Sequence, residues 1–192
     1  APQLTDPLIF GLDVARYGGD ASVLATRRGS VAGIHGTHSW RGLGGPDLAE
    51  VVIGLISLHR PHYVFIDGGG VGGGVIDVIR HRGFDVDEIH FGGKSPNPEF
   101  ANRRAYMWIE MRNWLQGEVS IPWNDTELFE ELTQQTYLVR DNKVNDMILT
   151  SKEAMRREGL RSPDRADALA LTFAHPVAPV VSIGQDGIRA TG

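Results

Sequence analysis

Four aspartates stand where a carboxylate is costly. Asp13 interrupts the apolar run LIFGLDVA at residues 8–15, and Asp67 closes the β-rich run HYVFID at 62–67. Asp164 and Asp167 fall in the first turn of a helical segment at 162–174. Each alone has a plain structural reading. Asp13 could pair with a buried arginine, Asp67 could serve a turn ahead of glycines, and Asp164 could be an acid favoured by the helix dipole. Together they suggest more. If the strands carrying Asp13 and Asp67 are neighbours, both carboxylates open into one cleft, and a helix bringing Asp164 or Asp167 there completes a cluster of three or four acids. Like charges at close range raise one another's pKa, so such a cluster needs a cationic partner. Hard divalent cations with oxygen ligands, Mg²⁺ or Mn²⁺, suit it. Two such ions about 3.5–4 Å apart can clamp both the attacking and the leaving oxygen of a phosphodiester.

The elements that must position these acids follow from pattern. Residues 8–15, 21–28 and 31–40 read as three strands joined by tight turns, an antiparallel meander. A helix over 48–59 stops before Pro61, a strand covers 62–67, and a glycine run occupies 68–74. A helix over 75–82 and a strand over 84–91 complete the order β-β-β-α-β-α-β. The second half is more helical, with segments at 102–116, 126–135, 152–158 and 162–174, an extended piece at 119–122, and a hairpin of 137–140 with 144–149. Pro163 falls in the first turn of the last helix, where its missing N–H costs little.

Composition narrows the class. The 192 residues contain no cysteine, which excludes disulfide scaffolds, zinc–thiolate sites and thiol nucleophiles. A net charge of −5, from 24 acids against 19 bases, argues against a general basic coat but not against a local basic face. No apolar stretch approaches a membrane span. The seven histidines, at 35, 38, 59, 62, 81, 90 and 175, show no metal-type spacing and read as ordinary core or surface residues. The glycine run is not a phosphate loop of the GxxxxGK[ST] kind, since Gly93-Lys94-Ser95 has Glu88 where the first glycine belongs. Its glycines read instead as places where backbone or a neighbouring helix comes close to Asp67. Trp108 reads as core and Trp114 as partly exposed. Arg103, Arg104, Lys152, Arg156, Arg157, Arg161 and Arg165 form a local basic set that could meet phosphates along the edge bearing the acids.

Three segments carry a resemblance: FGLDVARYGGDASVL, FIDGGGVGGGVIDVI and SKEAMRREGLRSPDRADALALTF. In this order they resemble the signatures of the C-terminal nuclease domain of tailed-bacteriophage terminase large subunits, over residues 8–173. Asn102-Arg103-Arg104, opening a helix with Trp108 and Trp114, is similar too. The resemblance implies an α/β, ribonuclease H-like fold with a central mixed β-sheet flanked by helices. It implies a Mg²⁺- or Mn²⁺-dependent DNA endonuclease that cuts concatemeric double-stranded viral DNA during packaging, using two divalent metal ions. By position, Asp13 and Asp67 match catalytic, metal-binding acids. The third ligand is Asp164 or Asp167, with Asp164 preferred. Asp20 belongs to the motif but reads as structural. Lys152, Arg103, Arg104, Arg156 and Arg157 are the expected DNA-binding residues. Residues 1–7 read as a linker from an ATPase domain, 8–175 as the nuclease domain and 176–192 as a mobile tail. Expected partners are that ATPase domain, the portal protein and the small terminase subunit, with no membrane, in the host cytoplasm. The alternatives are a Holliday-junction resolvase or integrase-like enzyme on the same fold, or a mainly DNA-gripping module of a packaging motor.

Overall fold

The computed structural model describes residues 2–3, 5–15, 20–139 and 147–178. A sheet forms its centre, in the order β3 (Val31–Ala32), β2 (Ser22–Arg28), β1 (Leu8–Asp13), β5 (Tyr63–Asp67), β6 (Asp87–Ile89), with β4 (His38–Trp40) pairing with β2 beside β3. Strand β1 is antiparallel to β2 and parallel to β5, which is parallel in turn to β6. The expected strand at 31–40 is two short ones, β3 and β4. Gly33 and Gly36, both at positive φ, break it between them. The strand expected over 84–91 is confined to Asp87–Ile89.

Strand parity sorts the core into two layers. Leu8, Phe10 and Leu12 of β1, with Val64 and Ile66 of β5, pack under helices α1 (Gly45–His59) and α2 (Gly72–His81). Ile9 and Phe65 point to the opposite layer, built from α3 (Arg103–Leu115) and α6 (Asp164–Leu171). Asp13 shares the parity of Ile9, and Asp67 that of Phe65, so both acids face the α6 side. Helix α2 starts inside the glycine run, three residues before the expected position. A Cβ on Gly72 would lie 1.9 Å from the Asp67 carbonyl oxygen, so only glycine lets this helix begin against the end of β5.

Around this core lie α4 (Thr126–Gln134), the short hairpin β7 (Tyr137–Val139) with β8 (Met147–Leu149), and α5 (Lys152–Arg157). The expected turn at 17–20 and the tip of the hairpin fall largely outside the described residues, as does most of the tail after 175. Among the described residues no helix is long and apolar enough to cross a membrane.

Gly11 sets how near α6 lies to β1. A Cβ there would sit 2.2 Å from the Ala168 carbonyl oxygen and 2.9 Å from the Leu171 Cβ. Backbone cannot yield as a side chain tip can. Gly11→Ala is therefore expected to destabilise by about 3 kcal/mol or more, near the top of the usual overpacking range. An unchanged thermal midpoint would contradict this close approach.

Candidate functional site

The acids meet at the carboxyl ends of the two central parallel strands. Leu12 pairs with Ile66, so Asp13 and Asp67 follow as neighbours at the strand ends. Asp13 is 4% exposed. Asp67 is half-buried, and its Oδ1 accepts a hydrogen bond from the Gly69 amide at 3.1 Å. Helix α6 crosses the same face and brings in Asp164 and Asp167. The Asp164 carboxylate accepts from Ser162 Oγ at 2.6 Å and from the Ala21 amide at 3.2 Å, which ties the start of α6 to β2.

Lys152, the first residue of α5, reaches into the middle. Its Nζ lies 3.2 Å from Asp13 Oδ2, 3.5 Å from Asp164 Oδ1 and 3.0 Å from Asp167 Oδ2. Asp167 is fully buried. Its Oδ1 accepts from Arg104 Nε at 2.8 Å and from Trp108 Nε1 at 2.7 Å. Arg104 is itself buried, with further contacts to Gln135 Oε1 and the Thr150 carbonyl. This corrects the expectation that Arg104 contacts DNA. Its guanidinium is turned inward and serves Asp167.

Other basic residues divide between tied and open. Arg156 pairs with Asp20, and Arg161 and Arg165 pair with Glu127, Arg165 also reaching Asp125. Those arginines and the acids of α4 line a cleft of about 660 Å³ beside Asp164, so that cleft is not a basic groove. Arg103 is half-buried and Arg157 exposed.

The site holds four carboxylates against two cations, Lys152 and Arg104. Burial, then the nearby acids, push Asp13 up to about 7 despite the lowering influence of Lys152. Burial raises Asp67 as well, against the Gly69 hydrogen bond. Burial also acts to raise Asp167, but Arg104 and Lys152 outweigh it and hold that carboxyl below the usual range. Lys152 is pulled down by burial and raised by more, through Asp13, Asp167 and Asp164.

Sequence reasoning missed Glu131 on α4, whose Oε2 accepts from the Ala166 amide at 2.8 Å. Burial pushes its carboxyl up to about 8. A signal was present: Glu131 lies three residues beyond buried Leu128, on the same helix face. For Arg104 and Trp108 the signal was their i, i+4 spacing.

These shifts predict a pH dependence for the metal-free protein. A carboxyl raised in the folded state contributes stability that is full below its unfolded value, near 4, and is lost as pH climbs through the folded value. Asp13 and Glu131 both act this way, and Asp67 in the same direction. Asp167, held low, weakens folding only as pH falls below about 4. His35, lowered by partial burial and then by His59 and Arg28, opposes the trend only below about 6.5. Thermal midpoints in EDTA are expected to fall between about pH 5.5 and 8. A flat or rising midpoint would contradict the assigned burial.

Among the described residues no three acidic or histidine side chains stand ready around a metal ion. Three carboxylate oxygens instead surround an ammonium, about 1 Å beyond Mg²⁺–oxygen bonding distance. The donor chemistry nevertheless fits a hard divalent cation. Four carboxylates face only two cations, and buried Asp167 Oδ2 has the Lys152 ammonium at 3.0 Å but no hydrogen bond.

No protein-family model matches the sequence, and neither does any curated protein. Solved structures do. The chain is similar to the nuclease domain of the large terminase subunit gp2 of bacterial virus Sf6, with 23% identity, TM-score 0.71, and 92% of this chain and 91% of that one covered. A variant of the Sf6 domain with manganese is similar at 22% identity and TM-score 0.70, covering 91% of both chains. The large terminase nuclease from thermophilic phage G20c with bound magnesium matches at 16% identity and TM-score 0.65, over 90% of this chain and 83% of that one. With these neighbours, the mixed sheet flanked by helices is a ribonuclease H-like α/β fold.

Proposed function

We propose that this chain is a metal-dependent DNA endonuclease that cuts concatemeric double-stranded viral DNA during genome packaging. The observation that carries the reading is the placement of Asp13 and Asp67 on adjacent parallel strand ends, with Asp164 brought onto the same face by α6. Asp13, Asp67 and Asp164 would hold two divalent cations, Mg²⁺ or Mn²⁺. Bound there, the cations would supply Lewis acidity, easing deprotonation of the attacking water and neutralising charge on the leaving oxygen. Asp13 lies between the other two acids and would serve both ions. Asp164, whose carboxylate is 13% exposed while that of Asp167 is sealed in, is the better third ligand.

Lys152 has a role of its own. In the metal-free site its ammonium holds the carboxylates together, and with cations bound it is free to meet a phosphate oxygen. Arg103 and Arg157 are the remaining candidates for backbone phosphate contacts, whereas Arg156 first has to leave Asp20. Contacts of this kind read charge, not sequence. An ATPase domain, a portal protein and a small terminase subunit are the partners this reading entails. The test is incubation of supercoiled plasmid with Mg²⁺, with Mn²⁺ or with EDTA. Nicking and linearisation in either metal but not in EDTA is the expected result, and intact plasmid in both metals would overturn the proposal.

A further inference from the structure

Helix α6 delivers Asp164 and Asp167 to the site but cannot cap itself. Its N-cap residue is Pro163, and no side chain of its own segment satisfies the first-turn amides. Glu131 takes that place from α4. Its Oε2 accepts from the Ala166 amide at 2.8 Å. The lock is reciprocal, because Arg165 of α6 reaches back to Glu127 at 2.8 Å and to Asp125 at 3.0 Å. A serine or asparagine would cap a helix without adding charge. Here the cap is a half-buried carboxyl, raised by burial to about 8, beside Asp164 and Asp167. It lies on the same α4 face as buried Leu128, so the capping carboxylate is set by packed helix and not by a loop.

We infer that Glu131 is a positioning residue: by gripping the Ala166 amide in the first turn of α6 it fixes where the Asp164 carboxylate stands relative to Asp13, and divalent-cation binding depends on it. This rests on the nuclease reading for its cation part and on geometry for the rest. The role is one of reach, not charge. The shorter Glu131→Asp should fail to span the gap, whereas Glu131→Gln keeps a carbonyl oxygen at the same distance.

The experiment measures Mn²⁺ binding to the whole chain by calorimetry, together with amide hydrogen exchange over residues 164–167. Glu131→Ala and Glu131→Asp are expected to weaken Mn²⁺ binding about tenfold, the usual scale for a residue supporting a metal ligand, and to speed exchange at Ala166. Glu131→Gln should stay within about twofold of wild type in binding. If Glu131→Ala does not fold, the Asp and Gln variants carry the comparison. Wild-type affinity in Glu131→Asp, or equal losses in the Gln and Asp variants, would overturn the inference. A wild-type chain that binds no Mn²⁺ would instead overturn the nuclease reading and the cation part with it, while exchange at Ala166 still decides the cap.

Discussion

Asp13→Ala and Asp13→Asn are expected to lower metal-dependent plasmid cutting by about a thousandfold or more, the scale on which loss of a central charge-stabilising group acts. Asp13 is the acid nearest both Asp67 and the α6 carboxylates, so no neighbour can replace it. The same substitution should not unfold the protein. The Asp13 carboxyl is 4% exposed and is pushed by burial to about 7, so its ionised form opposes folding above that pH. Asparagine removes that cost while keeping the shape. Lys152 would still have Asp164 and Asp167 beside it. In EDTA at about pH 8, Asp13→Asn should therefore melt at or above the wild-type temperature while cutting is lost. Cutting at the wild-type rate would contradict the site, and a large drop in melting temperature would contradict the electrostatic argument.

Arg104→Ala should have a large effect on stability. It removes one of two cations beside a fully buried carboxylate and leaves Lys152 3.0 Å from Oδ2, so the loss falls at the lower end for a broken buried pair, about 3 kcal/mol. For a chain of this size that is a fall of roughly 10 °C in the thermal midpoint. Trp108 Nε1 at 2.7 Å would be the one hydrogen-bond donor left to Asp167 Oδ1. The double variant Arg104→Met with Asp167→Asn should recover much of the loss, since it removes both charges and keeps an acceptor for Trp108. A midpoint for Arg104→Ala within about 2 °C of wild type would show that Arg104 is not the main support of Asp167.

What the sequence revealed and what it hid differ for physical reasons. Asp13 and Asp67 were legible because a carboxylate ending an apolar β-run is costly without a purpose, and strand parity then places both on one face. The choice between Asp164 and Asp167 was not legible. They lie three apart on one helix, and only tertiary contacts distinguish a carboxylate gripped by Arg104 and Trp108 from one left partly open. Arg104 read as a phosphate contact because adjacent arginines look alike in sequence, yet Arg103 and Arg104 point about 100° apart on a helix. One is half-buried at the surface and the other sealed inside. The meander strand at 31–40 was misjudged because two positive-φ glycines divide it while its apolar pattern runs on. Glu131 was marked only by its spacing from Leu128, since capping a helix from a distant element leaves no motif of its own.

The proposed chemistry requires Asp13, Asp67 and Asp164 to hold divalent cations. The most direct measurement is a crystal of the chain soaked in Mn²⁺, with data collected for anomalous scattering. Two anomalous peaks are expected, both beside Asp13, with Asp67 on one and Asp164 on the other and the Lys152 ammonium displaced from their midst. Lys152 still seated among the three carboxylates, with no Mn²⁺ beside Asp13 at saturating metal, would contradict that chemistry.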